Sequence, residues 1–247
     1  MKLYGPNISY SMIGSPGITG VTGIAENFSY EDSIQVQDGL VDGDIGYTIE
    51  HGEKGAISFE VSPPANITAL PARAGATLAI DGITTGKIIC QSVTAKWQRG
   101  QKMQIDVKAM HYPYLSDTTS GSLQAGSITL SGGTGGLVLP NGKIWWSTEG
   151  ITPVVDGIVQ SFSLSESVQL QEEEGSGENV GKIVAVIIHS YKGKGSMEVL
   201  TGGEPPAKGA TMTAFGGFRV EKSNKKFTQG ALRNIVVEGY MIPSVTE

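Results

Sequence analysis

The sequence predicts an all-β protein, with at most short helices, in which one structural unit occurs twice along the chain. Three observations favour this class: an internal repeat, strands that alternate polar and apolar residues, and frequent turn signals. The chain has 247 residues, of which 35 are glycine, and its charged content of 17% is ordinary for β-rich proteins. This length suffices for two modest domains.

The repeat is clearest in a segment of eleven residues. Residues 28–38 return as residues 162–172, with five identical positions and others that keep their chemistry. In the first copy, Ser and Gln alternate with Ile34 and Val36. Successive side chains of a strand point to opposite faces. Each copy is therefore predicted to be a half-buried strand with one wet face, and a repeat of this length indicates a duplicated unit.

The elements that follow this segment keep the same order in both halves. In the first half we predict strands at residues 23–37, 45–51, 56–61, 75–80, 87–97 and 103–110, with a turn at 38–44 that holds two Asp-Gly pairs. In the second half, residues 182–189 and 196–200 correspond to the second and third of these strands. The offset between the halves drifts from 130 to 138, so small insertions fall in loops, which tolerate them.

The predicted organisation has four parts. Residues 1–19 form an N-terminal arm, 20–115 a first β domain, 116–156 a Gly- and Ser-rich linker or inserted hairpin, and 157–247 a second β domain. The linker contains Trp145 and Trp146, which would be costly to leave in water, so we expect this segment to be docked on a surface.

Composition and charge restrict the possible functions. The formal net charge of −6 argues against tight, sequence-independent binding of nucleic acid, which needs clustered Lys and Arg. Cys90 is the single cysteine and lies in an apolar strand, so we predict a buried thiol and no intrachain disulfide. The sequence shows neither a secretory signal core nor an apolar run of roughly 18 residues, and we expect folding in a cytoplasm.

No motif indicates catalysis, a cofactor or a metal. Residues 82–88 have one spacer too few for a phosphate loop. The aspartates of the first turn lack the ligand spacing of a calcium loop. His51 and His189 occupy equivalent repeat positions, and no cluster of Cys or carboxylates accompanies them. We therefore predict a protein that is not an enzyme and that binds no cofactor or metal.

Acidic turns stand at matching places in the two halves, and we predict that they contact neighbouring subunits. With the adjacent tryptophans, the predicted ring or stacking contacts are Asp38, Asp42, Asp44, Glu172, Glu173, Glu174, Trp145 and Trp146. The lysines of a second-half hairpin could meet such an acidic loop by charge complementarity; they are Lys222, Lys225 and Lys226. The alternative for both sets is a solvated turn.

The repeat unit resembles the tail-tube fold of bacteriophages and contractile injection systems. The resemblance is carried by residues 28–38, 55–61, 75–78 and 103–113 and by their counterparts in the second half. It implies two tandem tail-tube-like domains, each a β-sandwich or barrel. Most such subunits have one domain and form six-membered rings, so two domains per chain imply a trimer with pseudo-sixfold symmetry.

By this resemblance the chain is expected to be a structural subunit of a phage tail tube, made in the host cytoplasm and located in the virion tail. Stacked rings would surround a channel for DNA, which passes without specific binding. The expected partners are other copies and further tail proteins: tape measure, terminator, baseplate and, where one exists, sheath. The wet strand faces supply bore-lining candidates, namely Ser33, Gln35, Gln37, Ser167, Gln169 and Gln171.

Two alternatives stay open at this point. One places the chain as a baseplate hub or distal-tail ring protein, which would use the same fold in a single ring. The other is a surface module that holds carbohydrate on Trp145 and Trp146.

Overall fold

A computed structural model gives the fold. It describes residues 18–19, 24–41, 44–62, 74–80, 82–99, 101, 104–115, 155, 157–201, 203–212, 218–226 and 233–241. The predicted N-terminal arm lies outside this part of the chain apart from its last two residues, and so does the predicted linker apart from Val155. Trp145 and Trp146 are therefore not among the described residues.

The prediction of an all-β protein is confirmed. The described residues form a short 3-10 turn at Gly177–Asn179 and eleven strands. These strands are β1 (Ile18–Thr19), β2 (Ile24–Val41), β3 (Asp44–Ser62), β4 (Thr77–Ile80), β5 (Lys87–Gln98), β6 (Gln104–Tyr112), β7 (Ile158–Glu174), β8 (Ile183–Thr201), β9 (Thr211–Met212), β10 (Phe218–Lys226) and β11 (Arg233–Met241).

All of these strands belong to one open sheet with antiparallel ladders. The order across the sheet is β2-β3-β6-β5-β7-β8-β11-β10-β9, while β4 pairs with the start of β5 and β1 pairs with β4. The order β2-β3-β6-β5-β4 in the first half thus recurs as β7-β8-β11-β10-β9 in the second. The sequence repeat is therefore also a repeat of strand order.

Irregularities of the ladders recur at the same places. The register shift between Ser33 and Gln35 in β2 corresponds to that between Ser167 and Gln169 in β7. On the facing strands, Gly52 and Ser190 hold equivalent positions and both have positive φ, 68° and 54°. A second pair of shifts, at residues 90–92 of β5 and 220–222 of β10, also matches. Bulges are specific features of a strand, so these matches fix which residues are equivalent.

The two halves are joined edge to edge. From residue 92 onward β5 pairs with β7, beginning at Ser92 opposite Ser167 and ending at Gln98 opposite Ser161. Trp97 and Phe162 stack across this junction with ring centroids 6.1 Å apart. We expected a sandwich or barrel in each half, whereas the described strands form one open sheet. The edge of β5 beyond its short pairing with β4 would be unpaired within the first half alone, and β7 supplies its partner.

One predicted break between strands and one predicted turn were wrong. The strands expected at 45–51 and 56–61 are one strand, β3, and their counterparts in the second half are likewise one strand, β8. The glycine at position 52 serves a bulge, because ladder pairing continues on both sides of it. The first Asp-Gly pair is also within a strand: Asp38 and Gly39 lie opposite Thr48 and Tyr47. The Tyr47 ring occupies the space where a side chain at position 39 would lie.

One face of the sheet is apolar and the other is wet, in both halves. A row of fully buried side chains crosses the junction on the apolar face: Val61, Ile105, Ala95 and Leu164. A polar row crosses it on the wet face: Ser58, Lys108, Ser92, Ser167 and Lys192. The half-buried pattern expected of these strands therefore holds through the junction.

We expect Leu164→Ala to lower the free energy of unfolding by about 2–5 kcal/mol, because Leu164 is fully buried beside the junction and its loss leaves a cavity. Chemical denaturation of the dilute chain measures this change. The control is Leu40→Ala, since Leu40 is 70% exposed and its loss should change stability by no more than about 0.5 kcal/mol. Equal effects of the two substitutions would contradict the assignment of β7 to the core.

Candidate assembly surface

Two long hairpins extend past the body of the sheet. Among the described residues, the part of β3 that precedes Gly55 pairs with β2 alone. The part of β7 that follows Ser167 pairs with β8 alone. We call residues 33–54 the first arm and residues 167–192 the second arm. The repeat makes them equivalent, because Ser33 faces Lys54 as Ser167 faces Lys192.

The second arm is packed on the first half of the same chain. Val168 is only 4% exposed and belongs to the main core, with Leu170 and Ile188 partly buried beside it. The turn at Gly75 lies against this face: a Cβ on Gly75 would stand 3.7 Å from methyl carbons of Val168 and Ile188. A smaller buried cluster completes the contact and consists of Ile89, Tyr112, Leu115 and Ile183.

A polar cluster locks the second arm in place. Lys54 Nζ lies 2.7 Å from Glu172 Oε2 and 3.0 Å from Glu172 Oε1, and the hydroxyl of Tyr112 donates to Glu172 Oε1 at 3.0 Å. The backbone N–H of Gly52 donates to the carbonyl of Gly181 at 2.7 Å. Tyr112 is fully buried, and burial together with the charge of Glu172 raises the pKa of its hydroxyl. The charged groups are thus satisfied where they are withdrawn from water.

Weaker polar contacts surround this cluster. Glu174 Oε1 lies 3.2 Å from Nδ1 of His51. The hydroxyl of Tyr114 donates to Glu53 at 2.8 Å, and the ammonium of Lys182 stands 5.0 Å from the centre of the Tyr114 ring. Each contact joins the second arm to the first half or braces the residues that receive it. At exposed positions such contacts contribute little to stability and mainly fix the geometry.

The first arm has the same sequence pattern, but no described segment covers its apolar side chains in the way that the first half covers those of the second arm. Ile34 and Val36, the counterparts of Val168 and Leu170, are 44% and 60% exposed. Further large apolar side chains of this arm are also exposed, namely Leu40, Ile45, Tyr47 and Ile49. The prediction of a half-buried strand is therefore wrong for this stretch of the first copy, because no described part of the chain covers it. These side chains lie on both faces of the arm, since Ile49 lies opposite Gln37 whereas Val36 lies opposite Glu50, and exposed apolar surface of this extent is typical of interaction sites.

Formal charge is divided unevenly between the edge hairpin of β2 and β3 and the segment that contains β8 to β11. Residues 24–62 contain nine carboxylates and a single basic residue, Lys54, for a formal charge of −8. Residues 182–241 contain nine Lys or Arg and four Glu, for a formal charge of +5. Surfaces of opposite sign attract and orient one another, whereas two copies of the acidic arm repel.

The predicted contact residues comprise the glutamates of the second arm and the aspartates of the first arm. Glu172 and Glu174 contact Lys54 and His51 of the same chain, and Glu173 accepts a hydrogen bond from Gln171 at 2.9 Å. Asp38 accepts from the hydroxyl of Thr48 at 2.9 Å. Asp44 begins β3, and Asp42 lies outside the described residues. Their role in ring or stacking contacts stays a prediction.

The bore-lining candidates lie at the surface. Gln169 and Gln171 are exposed while their neighbour Val168 is buried, so the predicted wet face exists in the second arm. In the first arm Ser33, Gln35 and Gln37 are exposed as well, and Ser33 donates to the carbonyl of Lys54 at 3.2 Å. Ser167 is partly buried. Whether these residues line a channel stays a prediction.

Sequence reasoning missed the residues that receive the second arm, above all Lys54 and Tyr112. One signal was available, since Lys54 is the only basic residue within residues 24–62. The prediction of a buried thiol at Cys90 is confirmed. The described ranges contain no group of three or more His, Cys, Asp or Glu placed to hold a metal ion. None of their helices has the length and apolar character needed to cross a membrane.

Comparison with protein-family models and with curated proteins finds no match to this chain.

We expect Tyr112→Phe to lower the free energy of unfolding by about 1.5–3 kcal/mol, because it removes a buried hydrogen bond to a charged carboxylate. Denaturant unfolding at neutral pH measures this. Tyr114→Phe is the matched control: it also removes a hydrogen bond to a glutamate, but Tyr114 is 41% exposed, and water should limit the loss to less than about 1 kcal/mol. A larger loss for Tyr114→Phe would contradict the proposed lock.

We expect the fold to lose stability as pH rises above about 9. Burial raises the pKa of the Cys90 thiol from 9.0 to about 12, and the charge of Glu166 adds to this effect. Burial also raises the pKa of the Tyr30 and Tyr112 hydroxyls. A pKa that is higher in the folded state stabilises the fold fully below the unfolded pKa, and that contribution is lost as pH climbs towards the folded value.

Unfolding measured from pH 8 to about 11 should show this decline, and Cys90→Ala should make the decline shallower because it removes one of the linked groups. The native thiol should react with a disulfide reagent only as fast as the chain unfolds. Rapid thiol reaction at neutral pH, or a decline unchanged by Cys90→Ala, would contradict the assignment.

Proposed function

We propose that this chain is a structural subunit of a phage-type tail tube. In this proposal copies assemble as trimeric rings with pseudo-sixfold symmetry, and the rings stack around a channel through which DNA passes. The role is structural and assigns no reaction to the chain. The partners are other copies and further tail proteins, and the location is the virion tail.

The observation that carries the proposal is the junction between β5 and β7. It joins two units of the same strand order side by side, so each chain already contains one joint of a wall built from repeating units. The same joint formed between chains would extend that wall. Contacts of this head-to-tail kind close into a ring when the rotation per unit fits a whole turn.

The edges of the described sheet supply the ends for such joints. Among the described strands, β2 pairs only with β3, and β10 pairs with β9 only at Phe218 and Arg219 on its outer side. Unpaired edges attract further strands. The apolar side chains of the first arm add area that another copy could bury, and burial of apolar surface is the main driving force of association.

The wet face supports a channel wall. Its cross-strand rows hold serines together with both signs of charge, for example Lys96 and Asp106, which pair at 3.1 Å. A mixed wall of this kind offers no continuous positive surface for phosphates, so DNA could slide past without being held. The same features fit a single baseplate or distal-tail ring, and the number of copies per particle separates that second candidate from a tube.

We expect purified full-length chain to form rings with an open bore, seen by electron microscopy, with the mass of three chains per ring by light scattering. The double variant Ile34→Asp with Val36→Asp should keep its circular dichroism spectrum, because both side chains are exposed in the single chain. Assembly should weaken by about tenfold or more, since association would bury unpaired carboxylates.

The matched control is Gln35→Asp with Gln37→Asp, which adds the same charges to the neighbouring positions on the wet face. It should still assemble. A compact monomer of the unmodified chain at every concentration and ionic strength would overturn the proposal, as would equal assembly of both double variants.

A further inference from the structure

We propose that successive chains join head to tail by copying the β5–β7 junction: β10 of one copy pairs with β2 of the next in the same register, and the first arm of that next copy packs on the second half of the first. The partner is a second copy of this chain. This inference rests on the ring assembly proposed above and specifies its interface residue by residue.

The repeat determines the register. Residues of β2 and β7 are related by an offset of 134, and those of β5 and β10 by 130, as their matching bulges show. Within the chain Ser92 faces Ser167 and Lys96 faces Ser163. The equivalent pairs between chains bring Lys222 opposite Ser33, Asn224 opposite Glu31 and Lys226 opposite Ser29.

The side chains suit this register. In an antiparallel pair, a side chain contacts the residue directly opposite it and also the two residues that lie two positions before and after that residue, on the same face. Glu31 would therefore lie opposite Asn224 and diagonally between Lys222 and Lys226, all of which are exposed in the single chain. The intrachain equivalent of Glu31 is Ser165, opposite Thr94, where no such charges meet. The charged arrangement arises only when the joint is formed between chains.

The turn at Gly75, on which the second arm packs, has an uncovered counterpart in the second half. The turn at Gly75 has φ 86°, its N–H donates to the carbonyl of Cys90 at 2.7 Å, and the N–H of Cys90 donates to the carbonyl of Ala76 at 2.8 Å. The turn at Gly209 repeats it with φ 79° and bonds of 2.8 and 2.9 Å to and from Val220.

What differs is the cover. A Cβ at position 75 would contact Val168 and Ile188 of the second arm, whereas no described atom lies within 4 Å of a Cβ at position 209. The counterpart of Val168 is Ile34 of the first arm, which is 44% exposed. In the proposed joint, Ile34 of the next copy therefore packs over the Gly209 turn of the first copy. The proposed joint would thus cover both the exposed Ile34 side chain and the uncovered turn at Gly209.

Cysteine cross-linking of the full-length chain tests the register. Native Cys90 is fully buried, so engineered surface cysteines can be oxidised without interference. Two in-register variants are used: Ser33→Cys with Lys222→Cys, and Ser29→Cys with Lys226→Cys. Directly opposed residues of an antiparallel pair are close enough for a disulfide. The control, Ser29→Cys with Lys222→Cys, separates the thiols by four residues, roughly 13 Å.

Mild oxidation should give a ladder of dimers and trimers on non-reducing gels from both in-register variants. The control should give about tenfold less, and reduction should abolish the ladder. Glu31→Lys should weaken the ladder of the Ser33→Cys, Lys222→Cys variant, and adding Lys226→Glu should restore it by exchanging the charges. A ladder equally strong in the control, or none in any variant, would overturn the register.

Imaging the same samples separates this inference from the proposed function. Rings that assemble while only the out-of-register control cross-links would overturn the interface and leave the tube function standing. In-register ladders in a sample of open filaments or dimers without a bore would support the interface and defeat the tube.

Discussion

The structure depends on the rule that a strand edge needs a partner. Beyond its short pairing with β4, the edge of β5 would expose a row of backbone N–H and C=O groups, and β7 pairs with it from Ser92 to Gln98. This pairing places Leu164 and the stacked Trp97 and Phe162 in the core. It also determines where the second arm lies, because the arm continues directly from β7. Removing the junction would separate the lock at Glu172 from its partners Lys54 and Tyr112.

Two arms of like sequence have opposite environments, which shows that burial is decided by the neighbours that a strand meets. Val168 is 4% exposed and Ile34 is 44% exposed, although both occupy the same position of the same repeat. Burying an aliphatic side chain stabilises a protein by about 1.5–3 kcal/mol. In the single chain, the exposed side chains of the first arm contribute little of this free energy. The carboxylates of β2 also favour one partner over another. Pairing β2 with β2 of another copy would place Glu31 and Asp32 near the same carboxylates of that copy, which repel them, whereas the basic segment 182–241 attracts them.

Much of the fold could be predicted from local pattern, and the failures share one cause. The predicted bounds of β5 and β6 are within two residues of those observed, and the buried thiol at Cys90 follows from its apolar strand. The sequence predicts a break between residues 51 and 56 and a turn at the Asp38-Gly39 pair, because each stretch also suits one. Each strand continues through these residues because it pairs with a facing strand on both sides of them. The ion pair between Lys54 and Glu172 joins residues 118 positions apart, and the exposure of the first arm depends on which segments lie beside it in the fold. Local sequence carries no signal for either.

The joint within the chain and the proposed joint between chains differ in chemistry in a way that suits an assembling subunit. The internal joint is apolar, with Ala95 opposite Leu164 and Trp97 opposite Phe162, both pairs fully or almost fully buried. Its external equivalent is more charged, with Lys225 opposite Tyr30 and Glu31 among lysines, although the same offsets relate the Trp97 and Phe162 pair to Phe227 and Phe28. An apolar joint forms as part of folding because its surfaces cannot remain in water. A charged joint leaves the unassembled chain well solvated, and salt screens it. In the proposed assembly, the chain would fold first by its internal joint and join its neighbours afterwards, so that the same repeated geometry would serve two successive steps.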